Sequence, residues 1–221
     1  HFDYNLAIDS IEQGIDKLRI NPGNIGSEKG VKEIVKAARE RSIPIRIGVN
    51  SGSIKKEFLD KYGNTPKAMA ESGLEQIGIL EKFGHQEIVI SLKASNIQNT
   101  VEAYRYITNR IDYPLHLGIT EAGTSWSGTI KSAIGIGALL LDGIGDTIRV
   151  SLTANPVEEV KVGKEILKTL GIRKEGVEII SCPTCGRCNI ELEQIVHDVQ
   201  DKIKGIVHPL TVAVMGCVVN G

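Results

Sequence analysis

Short β-branched runs alternate with amphipathic stretches from residue 17 to about residue 152. The runs KLRIN (17–21), IPIRIGVN (43–50), EIVISLK (87–93), LHLGIT (115–120) and DTIRVSL (146–152) read as strands. Helical periodicity fills the gaps. GSEKGVKEIVKAARER places Val31, Ile34, Val35 and Ala38 on one face. NTPKAMAESGLEQIGILEKF has Thr65 as N-cap and Pro66 at the first helical position. SNIQNTVEAYRYITNR, TSWSGTIKSAIGIGALLLDG and NPVEEVKVGKEILKTLG continue the alternation, the last opening at Asn155–Pro156 and stopping at Gly171.

Strands that alternate with helices and are nearly continuous in apolar character predict a parallel sheet. Their recurrence every 30–40 residues is close to the (β/α)8 unit. Five strands fit, and a closed barrel would need roughly three more, on the order of 90 residues. The fold expected is therefore α/β: a partial TIM-like (β/α)8 barrel over residues 1–173, with its N-terminal strands outside the chain. The rival is an open doubly wound sheet, but no G-x-G-x-x-G follows a strand. Beyond residue 173 the pattern changes. GVEIISCPTCGR is a strand running into a cysteine turn, IELEQIVHDVQDKI a helix with Ile195, Val199 and Ile203 on its apolar side, and HPLTVAVMGCVV another strand. Residues 174–221 are expected to begin a small α+β domain that the chain covers in part. The chain opens at His1 and stops at Gly221 just after an apolar strand, which reads as a piece of a longer protein.

Composition narrows the function. The net charge is −1 and no basic stripe appears, which points away from nucleic acid. The most apolar stretch, IKSAIGIGALLLDGIG, is short, rich in glycine and carries Lys131 and Asp142, so no membrane span is expected. Four cysteines, three of them within residues 182–188, suit metal or redox work in a reducing compartment better than a disulfide scaffold.

The strands carry charges where a buried sheet should be apolar. Arg19, Arg46, Lys93 and Arg149 lie in or at the end of four of them, and Glu121 follows a fifth. With period-two alternation, Arg19 shares a face with Asn21, Arg46 with Gly48 and Asn50, Lys93 with Ser91, and Arg149 with Ser151. In a barrel this parity points inward near the C-terminal rim, where such folds bind substrate. Several cations on one wall call for a polyanionic small molecule, most simply phosphate or diphosphate. Glu121 among them is a charge balancer or a proton donor and acceptor. His116, of opposite parity to Glu121, is expected to be a packed, hydrogen-bonded histidine. The glycine turn NPGN (21–24), leading to a helix near Ser27, offers backbone amides to phosphate.

Three readings of the cysteines compete. Cys182 and Cys185 form a C-x-x-C at a strand-to-helix junction, as in thioredoxin-like redox turns. Cys182, Cys185, Cys188 and Cys217 together can form a structural zinc site. The C-x2-C-x2-C run also imitates a bacterial ferredoxin, although its fourth position is Leu192, which leaves a cluster with three cysteines and a different fourth ligand.

The motifs RINPGNIG, IRIGVNSGS, LHLGITEAG, DGIGDTIRVSL, NPVEEVKVG, CPTCGR and GCVVNG together resemble the 4-hydroxy-3-methylbut-2-enyl diphosphate synthases of the non-mevalonate isoprenoid pathway, over nearly the whole chain. The resemblance implies a TIM-like barrel followed by a [4Fe–4S] domain. It implies a homodimer in which the cluster domain of one subunit covers the barrel of the other. It implies reductive ring opening and dehydration of 2-C-methyl-D-erythritol 2,4-cyclodiphosphate, with electrons from ferredoxin or flavodoxin, in a bacterial cytoplasm or a plastid. By the same resemblance Cys182, Cys185 and Cys217 are the cluster ligands, and Arg19, Arg46, Asn50, Lys93, Arg149 and Ser151 bind the diphosphate. Glu121, in TEAG, matches an acidic residue near the reacting hydroxyls. The family's fourth ligand, a glutamate after GCVVNG, lies outside the chain, so little turnover is expected of these 221 residues alone. Cys188 is a spare thiol in this reading. The reading from a different class is a non-catalytic phosphate-binding barrel with a structural zinc or redox knuckle.

Overall fold

The computed structural model describes residues 3–21, 25 and 28–219. The chain divides into two compact units, residues 1–166 and 167–221. The division falls before the boundary expected at 173/174, inside the last turns of a helix.

The first unit opens with α1 (Tyr4–Glu12), then β1 (Leu18–Ile20), α2 (Glu28–Glu40) and β2 (Ile45–Asn50). A 3₁₀ turn, Ser51–Ser53, leads into α3 (Lys56–Tyr62) and α4 (Pro66–Lys82). β3 (Ile88–Lys93), α5 (Ile97–Thr108), β4 (His116–Leu117), α6 (Ser125–Leu141), β5 (Thr147–Ile148) and α7 (Pro156–Thr169) follow. β1, β2 and β3 pair in parallel, as do β4 and β5, and a parallel bridge between Ile90 and Leu115 joins the two sets. The strand order is thus the chain order, as in a (β/α)8 barrel and unlike a doubly wound sheet, whose order reverses at a switch point.

One parity of this sheet is apolar and sealed. Leu18 and Ile20, then Ile45, Ile47 and Val49, then Ile88, Ile90 and Leu92, then Leu115 and Leu117 are all buried. Helix residues of matching period pack with them in the core, among them Val31, Ile34, Val35 and Ala38 of α2, the face read from the sequence. Each such side chain contributes about 1.5–3 kcal/mol on burial. α4 starts where Thr65 and Pro66 predict, the Thr65 hydroxyl accepting from the Ala68 amide at 3.3 Å. Gly171, at φ 68°, takes the left-handed conformation that follows the end of α7.

Four details differ from expectation. β4 and β5 hold two residues each, because the backbone beyond them bonds singly, as in Arg149 N–H to the Leu117 carbonyl (2.9 Å) and Thr120 N–H to the Ala94 carbonyl (3.3 Å). α1 and α3 were not legible in the pattern: α1 buries only Ala7 and Ile11, and α3 buries no residue fully. The glycine turn at 22–24 and the helix start near Ser27 lie outside the described residues.

The second unit is a β-α-β of its own: β6 (Val177–Ser181), α8 (Leu192–Lys202) and β7 (Leu210–Val214), the strands parallel from Val177 opposite Leu210 to Ser181 opposite Val214. The apolar side expected on α8 is poorly covered. Leu192 is buried, Val199 and Ile203 are half-buried, and Ile195 is exposed, since two strands offer too narrow a surface for a whole helix face.

Candidate functional site

The other parity of the first sheet carries the charges. Register sets Arg19 opposite Arg46, Gly48 opposite Ser91, Asn50 opposite Lys93, and His116 opposite Thr147. Counting on from Leu117 opposite Ile148 puts Gly118 opposite Arg149, and from Ile90 opposite Leu115 puts Ser91 beside His116. The four expected cations share one face and feel one another. The charge of Arg149 acts on Arg19, Arg46 and Lys93, although β1 and β5 are the outer strands of the described sheet.

Two glycines make room for them. A Cβ on Gly48 would stand 2.4 Å from Nε of Arg19, whose Nη2 donates to the Gly48 carbonyl at 3.3 Å. A Cβ on Gly118 would stand 3.0 Å from Nζ of Lys93 and 2.7 Å from the Arg149 carbonyl oxygen. Small residues at these rungs are what let long cationic side chains lie within the wall.

Lys93 is 6% exposed. Burial first, then Arg149, Arg46 and Arg19, push its ammonium down to about 7. Burial and the neighbouring cations lower Arg19 and Arg46 too. Among the described residues none of the four forms an ion pair with a carboxylate. A cation cluster without a counter-charge is an anion site in waiting. Polar groups line it: Asn21 Nδ2 donates to Ser53 Oγ at 2.9 Å, and Ser53 Oγ accepts from the Asn50 amide (3.1 Å) and donates to the Asn50 carbonyl (3.0 Å). Asn50 and Ser151 are half-buried, and Ser151 lies two residues beyond Arg149 on the same parity.

Glu121 stands apart from these contacts. It is exposed in the loop after β4 at φ 52°, a left-handed conformation uncommon outside glycine. Among the described residues it forms no ion pair with the four cations.

One residue escaped the sequence reading and another was undervalued by it. Tyr104 on α5 is fully buried, its hydroxyl accepting from the Leu92 amide (3.0 Å) and donating to the His116 carbonyl (2.6 Å), which ties β3 to β4 under the cationic face. His116 was expected to be satisfied. Its Nδ1 does lie 2.8 Å from Thr147 Oγ1, but Nε2 is buried without a hydrogen-bond partner. The signal was present: His116 shares the parity of Gly118, which register sets beside Lys93.

The thiols all lie in the second unit and all are free. Cys182 follows β6, and its Sγ accepts from the Gly216 amide at 3.2 Å, next to Cys217 in the chain. Cys188 Sγ donates to the Ile190 carbonyl at 3.4 Å and lies where a Cβ on Gly216 would come within 2.6 Å. Cys185 is exposed, and hydrogen bonds from Arg187 hold its thiol below the usual range. Among the described residues no three His, Cys, Asp or Glu side chains converge to hold a metal ion. The donor chemistry nonetheless fits a soft metal centre, iron–sulfur or zinc: free thiols cluster after the C-terminal ends of two parallel strands.

A family model described as the GcpE TIM-barrel domain matches residues 1–164, and one described as the GcpE protein C-terminal domain matches residues 178–221. These matches bear out the partial TIM-like barrel. The chain is similar along its whole length to curated proteins named 4-hydroxy-3-methylbut-2-en-1-yl diphosphate synthase (flavodoxin). It is 64% identical to that of Caldanaerobacter subterraneus, and 62% identical to those of Fusobacterium nucleatum and Geobacter sulfurreducens. It spans 62% to 63% of the length of these relatives.

Proposed function

Since the chain belongs to the GcpE family, we propose that it forms the greater part of a 4-hydroxy-3-methylbut-2-enyl diphosphate synthase, which opens and dehydrates 2-C-methyl-D-erythritol 2,4-cyclodiphosphate reductively. The observation that carries the reading is the wall of Arg19, Arg46, Lys93 and Arg149, convergent and, among the described residues, without a carboxylate partner. A diphosphate supplies the missing negative charge. Arg guanidinia offer it forked donors and Lys93 a compact ammonium. Asn50 and Ser151 add neutral donors at the same end of the strands.

In this reading the first unit binds substrate and the second holds a [4Fe–4S] cluster through Cys182, Cys185 and Cys217. When bound, the cluster supplies electrons, taken from flavodoxin as the relatives' names indicate or from ferredoxin, and a Lewis-acidic iron. The remaining work belongs to the polypeptide. The four cations fix the diphosphate and stabilise the charge that develops on it when the ring opens. Glu121, exposed and held at a left-handed backbone angle by its loop, is the candidate for moving a proton at a substrate hydroxyl. A homodimer in a reducing cytoplasm completes the proposal. The exposed apolar stripe Trp126, Ile130 and Ile134 on α6 supports association. Anaerobic purification with iron, sulfide and zinc analysis is the test. About four irons and four sulfides per chain are expected, and stoichiometric zinc without iron would replace this reading with a structural knuckle.

A further inference from the structure

Among the described residues His116 is the one histidine on the cationic face, and its surroundings are unusual for a core residue. It is 8% exposed, yet Nε2 meets no partner. The charged groups that act on it are all cations: Lys93 from β3, Arg46 from β2, Arg149 beyond β5 and Lys17 before β1. Thr147 of β5 faces its Nδ1, and Tyr104 of α5 reaches its backbone carbonyl. Burial and these cations push its imidazole down to about 3, so it is neutral at any physiological pH. A neutral ring keeps one bare lone pair. Facing four cations, that lone pair is best placed on Nε2, which makes Nδ1–H the donor to Thr147.

We infer that His116 is a positioning residue for Lys93: its Nε2 accepts a hydrogen bond from the Lys93 ammonium when an anion enters the cationic face. This rests on the diphosphate reading of that face. The geometry explains why an imidazole suits the task. Lys93 projects into the hollow at Gly118, two residues beyond His116 on the same parity, and among the described residues no hydrogen bond or ion pair is found at its Nζ. A carboxylate there would hold the ammonium more strongly but would cancel one of the charges meant for the ligand. A neutral acceptor fixes the direction of Lys93 and leaves its charge available. Binding then draws a proton onto Lys93 above about pH 7, because the anion favours the charged form that burial opposes.

The test is titration calorimetry with inorganic pyrophosphate between pH 6.5 and 9.5, on the wild-type chain, His116→Asn and His116→Gln, each also in a Lys93→Met background, with melting curves to verify folding. Asn keeps a group at the Nδ1 position beside Thr147 and removes the acceptor at Nε2, whereas Gln restores one there. His116→Asn is expected to bind about tenfold more weakly at pH 7 and His116→Gln within about threefold of wild type. The defect should fade as pH rises and Lys93 loses its proton. In the Lys93→Met background, His116→Asn should cost less than about twofold. A loss that persists undiminished without Lys93, or equal losses in Asn and Gln at every pH, would show a packing role and overturn the inference. Pyrophosphate that fails to bind wild type at any pH would remove the diphosphate site itself, and the inference with it.

Discussion

Lys93→Met should make the first unit more stable, and by an amount that depends on pH. In the folded chain the ammonium is buried beside three arginines and titrates at about 7, against an ordinary 10.5. A cation whose folded value lies below its unfolded value is charged more readily in the unfolded chain. The unfolded state therefore binds the extra proton between these two values, and stability rises as pH climbs through that window. Each pH unit carries about 1.4 kcal/mol, which bounds the penalty at about 5 kcal/mol below pH 7. Relaxation around the site leaves a penalty on the order of 3 kcal/mol. Methionine keeps an unbranched stem of similar length, removes the charge, and breaks no hydrogen bond found at Nζ. Melting followed by circular dichroism should show the variant roughly 6–12 °C more stable at pH 6.5, with the gap closing toward pH 10.5. A variant that melts lower than wild type at pH 6.5, or a gap that ignores pH, would refute the reasoning. Pyrophosphate binding should fall at least tenfold in the same variant, the familiar opposition between stability and function.

Gly48→Ala should leave the melting midpoint within about 2 °C of wild type, because the clash falls on the mobile end of Arg19, while pyrophosphate affinity measured by calorimetry drops about tenfold. Tyr104→Phe strands the buried Leu92 amide and His116 carbonyl, and chemical denaturation should show a loss of about 2 kcal/mol. In anaerobically reconstituted protein, Cys182→Ser, Cys185→Ser and Cys217→Ser should each remove most of the bound iron, whereas Cys188→Ser should retain it; iron lost equally from all four would redraw the ligand set.

The alternation of apolar and charged residues made much of the first unit legible. Ile45, Ile47 and Val49 interleaved with Arg46, Gly48 and Asn50 state a strand, its two faces and their different fates at once. The same logic found four cations without a structure, because period-two geometry is rigid. It did not find α1 or α3, whose few buried residues leave almost no periodic trace. It also undervalued His116. A histidine between leucines reads as core, and only the register that places it next to the Lys93 rung shows what its second nitrogen faces. In the second unit the strands and helix were legible, but the exposure of Ile195 was not, because periodicity names a face and cannot say whether enough sheet exists to cover it.

The carboxylate-free wall has a consequence for how any ligand arrives. Three arginines at close quarters, joined by Lys93 whenever it is protonated, gather a local atmosphere of small anions in a salt solution, chloride and inorganic phosphate among them. Occupation of such a surface is an exchange: in the proposed reading an incoming diphosphate would evict ions already gathered there, and the freedom they regain would contribute to its affinity. The apparent strength of anion binding proposed at Arg19, Arg46, Lys93 and Arg149 would therefore be as much a property of the medium as of the polypeptide, high in dilute buffer and progressively lower as phosphate or salt accumulates.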